Sequence, residues 1–273
     1  MRSARPVSRG RTAAAAAVLT ALCLTATACG SSDAGGSNSS SAVSTPHAQK
    51  IDVKGPLKAA TTFAKIDYAP RDTAPDATTD GTVVHPRSVQ LIYTAPDGTA
   101  FAKLPVKQLG NPTWVPVIDR RDGWLHVLLP SRPDGSTGWI KDGAKLDTAH
   151  TSSVIRVDVD ARRLTLTKDG RQVGRWTVAV GKKQTPTPRG RTFLMASIID
   201  AKQAKYTPIV LPLGTHSQTL DTFGGGPGTV AMHGWTTDPS VFGHAVSNGC
   251  IRVPTAALTK LRQVPLGSLV LIR

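Results

Sequence analysis

From Ser88 onward the chain alternates apolar and polar residues with a period of two, and no helical period appears until its last twenty residues or so. In VQLIYTAPDG and AFAKLPVKQLGNPTWVPVIDRRDGWLHVLLPSRPDGSTGWIK the apolar runs are short. Turn signals at Pro96-Asp97-Gly98, Arg121-Asp122-Gly123 and Asp134-Gly135 separate them. Residues 87–147 are therefore expected to form a small all-β domain. A second β-rich domain is expected over residues 153–273. Its first part, SVIRVDVDARRLTLTKDGRQVGRWTVAVG, alternates about Lys168-Asp169-Gly170, a hairpin signal. TPTPRGRTFLMASII opens a further strand, and the unbroken apolar run in GTVAMHG predicts a buried one. Pro254 followed by TAALTKLRQV predicts a short helix, and SLVLIR the last strand. The fold class is mainly β with short helices, without internal repeats.

The N-terminus follows another pattern. Arg2, Arg5, Arg9 and Arg11 precede TAAAAAVLTALCLTATA, an apolar run shorter than a comfortable membrane span and followed abruptly by polar sequence. Residues 1–28 are read as a secretory signal peptide, with a retained membrane anchor as the alternative. The end of the run, ATAC before GSS, resembles the lipobox of bacterial prolipoproteins, with Ala26 where leucine is usual. That resemblance implies lipidation of Cys29 and an exported chain held by its N-terminal lipid at the outer face of the plasma membrane or the cell wall. The next stretch, GSSDAGGSNSSSAVSTPHAQK, is rich in Gly, Ser and Asn, and Pro56, Pro70, Pro75 and Pro86 follow it. Residues 29–86 are expected to form the lipidated N-terminus and a flexible linker.

An apolar fraction of 40% supports ordinary cores, and the net charge of +15 falls mostly after residue 147. Such a surface suits nucleic acid, anionic lipid or an acidic polymer. However, Arg162, Arg163, Lys168, Arg171, Arg175, Lys182 and Lys183 are interleaved with apolar residues, the pattern of a solvated sheet face, and no nucleic-acid partner is expected. All 18 acidic residues are aspartate, so no glutamate is available as general acid or base.

The chain has three cysteines. With Cys23 leaving in the signal peptide and Cys29 acylated, Cys250 has no partner in a compartment where exported thiols are normally paired. It is open to four readings: structural thiol, intermolecular disulfide, metal ligand or nucleophile. A free thiol with a pKa near 8.5 is only ~3% ionised at pH 7, so a nucleophile needs a base beside it. His233, ending the run GTVAMHG, is favoured over His244 in the loop TTDPSVFGHAVS. An activated thiol is expected to titrate below a free cysteine. Gly249 permits a tight turn, and the backbone N–H groups of Asn248, Gly249 and Cys250 are expected to converge as an oxyanion hole. Zinc held by His233, His244 and Cys250 is the rival constellation. Its spacing matches no zinc pattern, and no metal or cofactor is expected. FGGGPGT lacks the Lys-Ser/Thr ending of a phosphate loop and reads as a mobile loop beside the site.

TPTPRGRTF, GTVAMHG and SNGCIRV resemble, in order, the signature segments of the L,D-transpeptidase catalytic domain, also called YkuD, over roughly residues 153–273. DGWLHVLLPSRPDGSTGWI, with Trp124 and Trp139, resembles the closing strands of bacterial SH3-like domains. The first resemblance implies Cys250 as nucleophile, His233 as base and the Gly234 carbonyl as the group that orients it. It also implies Gly249 as the glycine before the nucleophile, Ser247 as an orienting residue and Arg252 as a substrate-binding position. Asn248 stands where many members have histidine, which keeps the backbone N–H and removes a titratable side chain. The implied activity is a 3→3 cross-link between peptidoglycan stem peptides through a cysteine thioester in a monomer, with acylation by carbapenems. An L,D-carboxypeptidase using water as acceptor, and a non-catalytic wall-binding lipoprotein, remain as alternatives.

Overall fold

The structure is a computed structural model that describes residues 55–199, 207–223 and 226–273. The expected signal peptide, Cys29 and the Gly/Ser-rich stretch lie outside the described residues. As expected, the described chain is mainly β. Its first sheet has eight strands in the order Lys58–Ala59, Ala100–Leu104, Gln90–Tyr93, Thr137–Lys141, Trp124–Leu128, Val115–Arg121, Thr82–Pro86 and Leu146–His150. Alternate residues of these strands, among them Ile92, Phe101, Leu104, Val115, Val127 and Ile140, fill one core.

This sheet begins earlier than the alternation suggested. Residues 55–86, expected as linker, are built into it. Thr82–Pro86 pairs along its whole length with Leu146–His150. Ala60 and Ile66 are fully buried, the Ile66 N–H donates to the Arg132 carbonyl, and the Thr137 N–H donates to the Pro70 carbonyl. The segment has few large apolar residues because its order comes from backbone bonds to partners distant in sequence, which composition does not record.

The second sheet runs Arg171–Thr177, Arg163–Lys168, Ser153–Asp158, Leu269–Ile272 and Gly190–Phe193. The expected hairpin closes at Asp169 and Gly170, both with positive φ, the geometry of a two-residue turn matched to strand twist. Leu269–Ile272, the expected last strand, is buried on both faces. Leu269 and Leu271 pack with Phe193 and Met195 into the core of the eight-stranded sheet, whereas Val270 and Ile272 pack with Ile155, Val157 and Leu164 on the other side. The two β regions thus share a wall. Arg191, in Gly190–Phe193, also forks onto Asp72, with Nε 2.8 Å from Oδ2 and Nη2 2.6 Å from Oδ1, both side chains 4% exposed.

A third sheet, Ile198–Ile199, Ile209–His216, Thr229–Gly234 and Ile251–Val253, carries the site. Helix Thr255–Leu261 follows Pro254 as expected and buries Ala257, Leu258 and Leu261 in the second core. Short pairs join Val180–Gly181 to Ala245–Ser247 and Lys107–Gln108 to Asn111–Pro112.

Candidate active site

Strand register brings the two halves of the site together. Thr229–Gly234 and Ile251–Val253 run parallel, with Met232 opposite Ile251 and His233 opposite Arg252. Cys250, one residue ahead, reaches the level of Ala231, whose backbone favours the ionised thiol. Cys250, His233, Ser247, Asn248 and Arg252 line one cleft of about 490 Å³. His244 is exposed and does not line it. Among the described residues no three His, Cys, Asp or Glu side chains are grouped to hold a metal ion.

The imidazole of His233 is fixed in one tautomer. Its Nδ1 lies 2.8 Å from the Gly234 carbonyl oxygen, which only accepts, so Nδ1 carries the proton and Nε2 has the free lone pair. Gly234 is held in turn: its N–H donates to Thr207 Oγ1 at 2.8 Å, and that hydroxyl donates to the Ile209 carbonyl at 2.6 Å. Thr207 was not distinguishable in the sequence, since only the fold brings it to Gly234. Burial pushes His233 below the ordinary histidine range, the Gly234 carbonyl opposes this, and the Arg252 charge adds to it.

Cys250 is 8% exposed, and burial pushes its thiol above the ordinary cysteine range, against the Ala231 backbone and the Arg252 charge. This reverses the expectation of a thiol that titrates below a free cysteine. Taking a thiolate out of water costs more than two favourable contacts return. Both shifts favour the neutral forms, thiol and imidazole.

The loop carrying Cys250 is tied down from both sides. Ser247 Oγ donates to the Cys250 carbonyl at 2.5 Å and accepts from the Gly249 N–H at 3.1 Å. Thr185 Oγ1 donates to the Ser247 carbonyl at 3.0 Å. Thr187 Oγ1 donates to the Gly249 carbonyl at 2.8 Å and accepts from the Gly181 N–H at 2.9 Å. Both threonines belong to TPTPRGRTF, where the sequence marked the segment but not its task. One expectation changes here: the Gly249 N–H is committed to Ser247, which leaves Asn248 and Cys250 as candidate oxyanion donors. Gly249 has φ +113°, a region L-residues rarely adopt, although an added Cβ would meet nothing closer than the Pro186 carbonyl oxygen at 3.6 Å. Gly249→Ala is therefore expected to cost roughly 1–3 kcal/mol through backbone strain, measured by denaturant unfolding. An unchanged stability would mean the loop relaxes freely.

Arg252 lies with its guanidinium 3.6 Å from the ring centroid of Trp235, which itself meets the His233 ring edge-on at 6.1 Å. The Arg252 Nε finds no hydrogen-bond partner among the described residues. Trp235 went unnoticed in the sequence because a tryptophan after His-Gly carries no signal by itself. With this geometry in place, residues 152–272 are found to match the family model of the L,D-transpeptidase catalytic domain, YkuD. The chain carries a YkuD domain.

Similar solved structures include an L,D-transpeptidase from Mycobacterium smegmatis, 17% identical, with 58% of this chain and 82% of that one covered at a TM-score of 0.38. Another is the catalytic domain of an Enterococcus faecium L,D-transpeptidase, 24% identical, with 46% of this chain and 100% of that one covered at a TM-score of 0.33. No curated protein matches. The YkuD domain contains every polar group of the cleft described above. Two apolar residues of the lining, Phe63 and Leu109, precede it. From the glycine-rich segment FGGGPGT, Phe223, Gly226 and Pro227 also line the cleft, and Gly224 and Gly225 lie outside the described residues.

Proposed function

We propose that the chain is a peptidoglycan L,D-transpeptidase that makes 3→3 cross-links through a thioester on Cys250. What supports this reading is one cleft of a YkuD domain in which a thiol shares the lining with an imidazole whose Nδ1–H is tied to Gly234, leaving Nε2 to accept a proton. The Sγ of Cys250 attacks the carbonyl carbon of the third residue of a tetrapeptide stem while its proton passes to His233 Nε2. The bond to the terminal D-alanine nitrogen breaks, that nitrogen takes the proton from His233, and D-alanine leaves. A side-chain amine of a neighbouring stem then attacks the thioester carbon, gives its proton to His233, and the sulfur departs and recovers it. The Asn248 and Cys250 N–H groups are the proposed donors to the oxyanion. Arg252, a cation on the cleft wall, is assigned to a substrate carboxylate.

Because both shifts favour the neutral forms, charge develops as the substrate is attacked, in a site already removed from water. A pH dependence follows. His233 acts as a base only when neutral, and burial lowers its pKa, so the acidic limb of kcat/KM is expected below the ordinary histidine midpoint. Iodoacetamide labelling of Cys250 is expected to be slow at pH 7 and to rise only above the free-cysteine range, because the thiol is pushed up. Labelling that rises through pH 6 would argue for a preformed thiolate instead.

The deciding experiment is mass spectrometry of products after the protein meets a purified disaccharide-tetrapeptide. A cross-linked dimer that has lost one D-alanine supports transpeptidation, and tripeptide alone would point to the carboxypeptidase. Export, lipidation of Cys29 and an SH3-like character for residues 87–147 belong to the same proposal: the enzyme acts as a monomer at the wall, held by its N-terminal lipid.

A further inference from the structure

Thr229 stands in the cleft wall on the same strand face as His233. In Thr229–Gly234 the alternate residues Thr229, Ala231 and His233 all line the cleft, as a period of two requires. Cys250 reaches the level of Ala231, so Thr229 and His233 flank that level, each about 7 Å away along the strand. One of the two is the base. The mechanism gives the other no task.

The Thr229 hydroxyl ends a buried chain of hydrogen bonds that starts before the YkuD domain, at Asp134 and Thr62. Asp134 Oδ1 accepts the His216 backbone N–H at 2.8 Å and stands 3.1 Å from its Nδ1. His216 Nε2 lies 2.9 Å from both the carbonyl oxygen and the Oγ1 of Thr62, and Thr62 Oγ1 lies 2.5 Å from Thr229 Oγ1. Thr62 is fully buried and His216 is 2% exposed, so neither can turn a proton toward solvent.

One partner sets the direction of the chain. A carbonyl oxygen only accepts, so His216 Nε2 carries a proton, and Thr62 Oγ1 beside it takes the accepting role. The Thr62 hydroxyl proton then has Thr229 Oγ1 as its acceptor, and leaving it unpaired in a buried place is costly. Thr229 therefore accepts from Thr62. Its own O–H has no other partner among the described residues and is left for the cleft.

We propose that Thr229 anchors the substrate by donating this O–H to an acceptor oxygen of the second stem residue, on the far side of the thiol from the leaving group. This rests on the transpeptidase reading of the cleft. His233 hands its proton to the leaving nitrogen, and Arg252, opposite His233 in register, suits the D-alanine carboxylate. Together they place the C-terminal end of the stem on the His233 side of Cys250. An extended stem then runs past the thiol toward Thr229 and brings its second residue there. The charges agree, since the described lining holds no carboxylate and a donor at Thr229 meets oxygen rather than a cation.

The test is calorimetric binding to the detergent-solubilised full chain carrying Cys250→Ala. Two synthetic probes are compared: a tetrapeptide stem, and the dipeptide of its third and fourth residues with a free amino end, which lacks every oxygen of the second residue. Thr229→Val is expected to weaken the tetrapeptide about tenfold and to leave the dipeptide within about twofold, because only the tetrapeptide loses a hydrogen bond. Thr229→Ser keeps the hydroxyl and should bring the tetrapeptide back to within about twofold of the parent. With Cys250 restored, the Thr229→Val loss should fall on KM, with kcat and iodoacetamide labelling unchanged. Equal weakening of both probes, weakening of neither, or no recovery with serine overturns the anchor. Turnover of the unsubstituted chain is read in parallel: product alongside an indifferent Thr229→Val removes the anchor alone, and neither binding nor product removes the transpeptidase reading as well.

Discussion

Cys250→Ala is expected to abolish thioester formation and lower turnover of a tetrapeptide by about 10⁴-fold or more, as loss of a nucleophile does in enzymes where nucleophile and base act as a unit. His233→Ala should approach the same floor. The double variant should be little worse than either, because once the thiol is gone the base has no proton to move. Chromatography with mass detection follows both product and acyl-enzyme. The fold should survive: Cys250 contributes one small side chain, and the loop around it is tied by Ser247, Thr185 and Thr187 through groups the substitution leaves in place. Undiminished turnover in Cys250→Ala would remove Cys250 as the nucleophile, and no turnover or acyl-enzyme with either the parent or the variant would return the protein to the non-catalytic wall-binding reading.

The largest expected loss of stability lies far from the cleft. Asp72→Ala leaves the Arg191 guanidinium buried without its carboxylate, and removing one partner of such a pair costs about 3–5 kcal/mol. The weak remaining bond from Arg191 Nη1 to the Ala77 carbonyl, at 3.4 Å, does not replace a bidentate fork. Denaturant unfolding measures the effect. Replacing both residues with apolar side chains of similar volume should cost much less, since no charge is then stranded. Asp72 comes from the segment that reads as linker and Arg191 from the sheet that backs the catalytic strands. A near-neutral Asp72→Ala would mean that this ion pair does not help hold residues 55–86 to the second sheet.

Much of the fold was legible because its elements announce themselves locally. The Asp169-Gly170 hairpin, the buried strand ending at Gly234, the helix after Pro254 and the closing strand all follow from period, turn chemistry and proline placement. Residues 55–86 were not legible, because Thr82–Pro86 and the stretch around Ile66 are ordered by partners such as Leu146–His150 and Arg132. The same holds for Thr207 and Trp235, whose neighbours in space, Ile209 apart, carry no signature of the contact.

The sequence by itself determined the β class, the family resemblance, and Cys250 and His233 as candidates, because a thiol in a Ser-Asn-Gly-Cys turn downstream of a strand-end histidine is a chemical pattern that needs no coordinates. Only the tertiary structure decided which way the pair's protonation is shifted. Burial pushes the thiol up and the imidazole down, and desolvation is a property of what packs around a group. It also decided that the Gly249 N–H is spent on Ser247, and that Phe63 and Leu109 reach the cleft from residues before the YkuD domain. Both depend on where distant backbone is held, and that is fixed by packing rather than by local pattern.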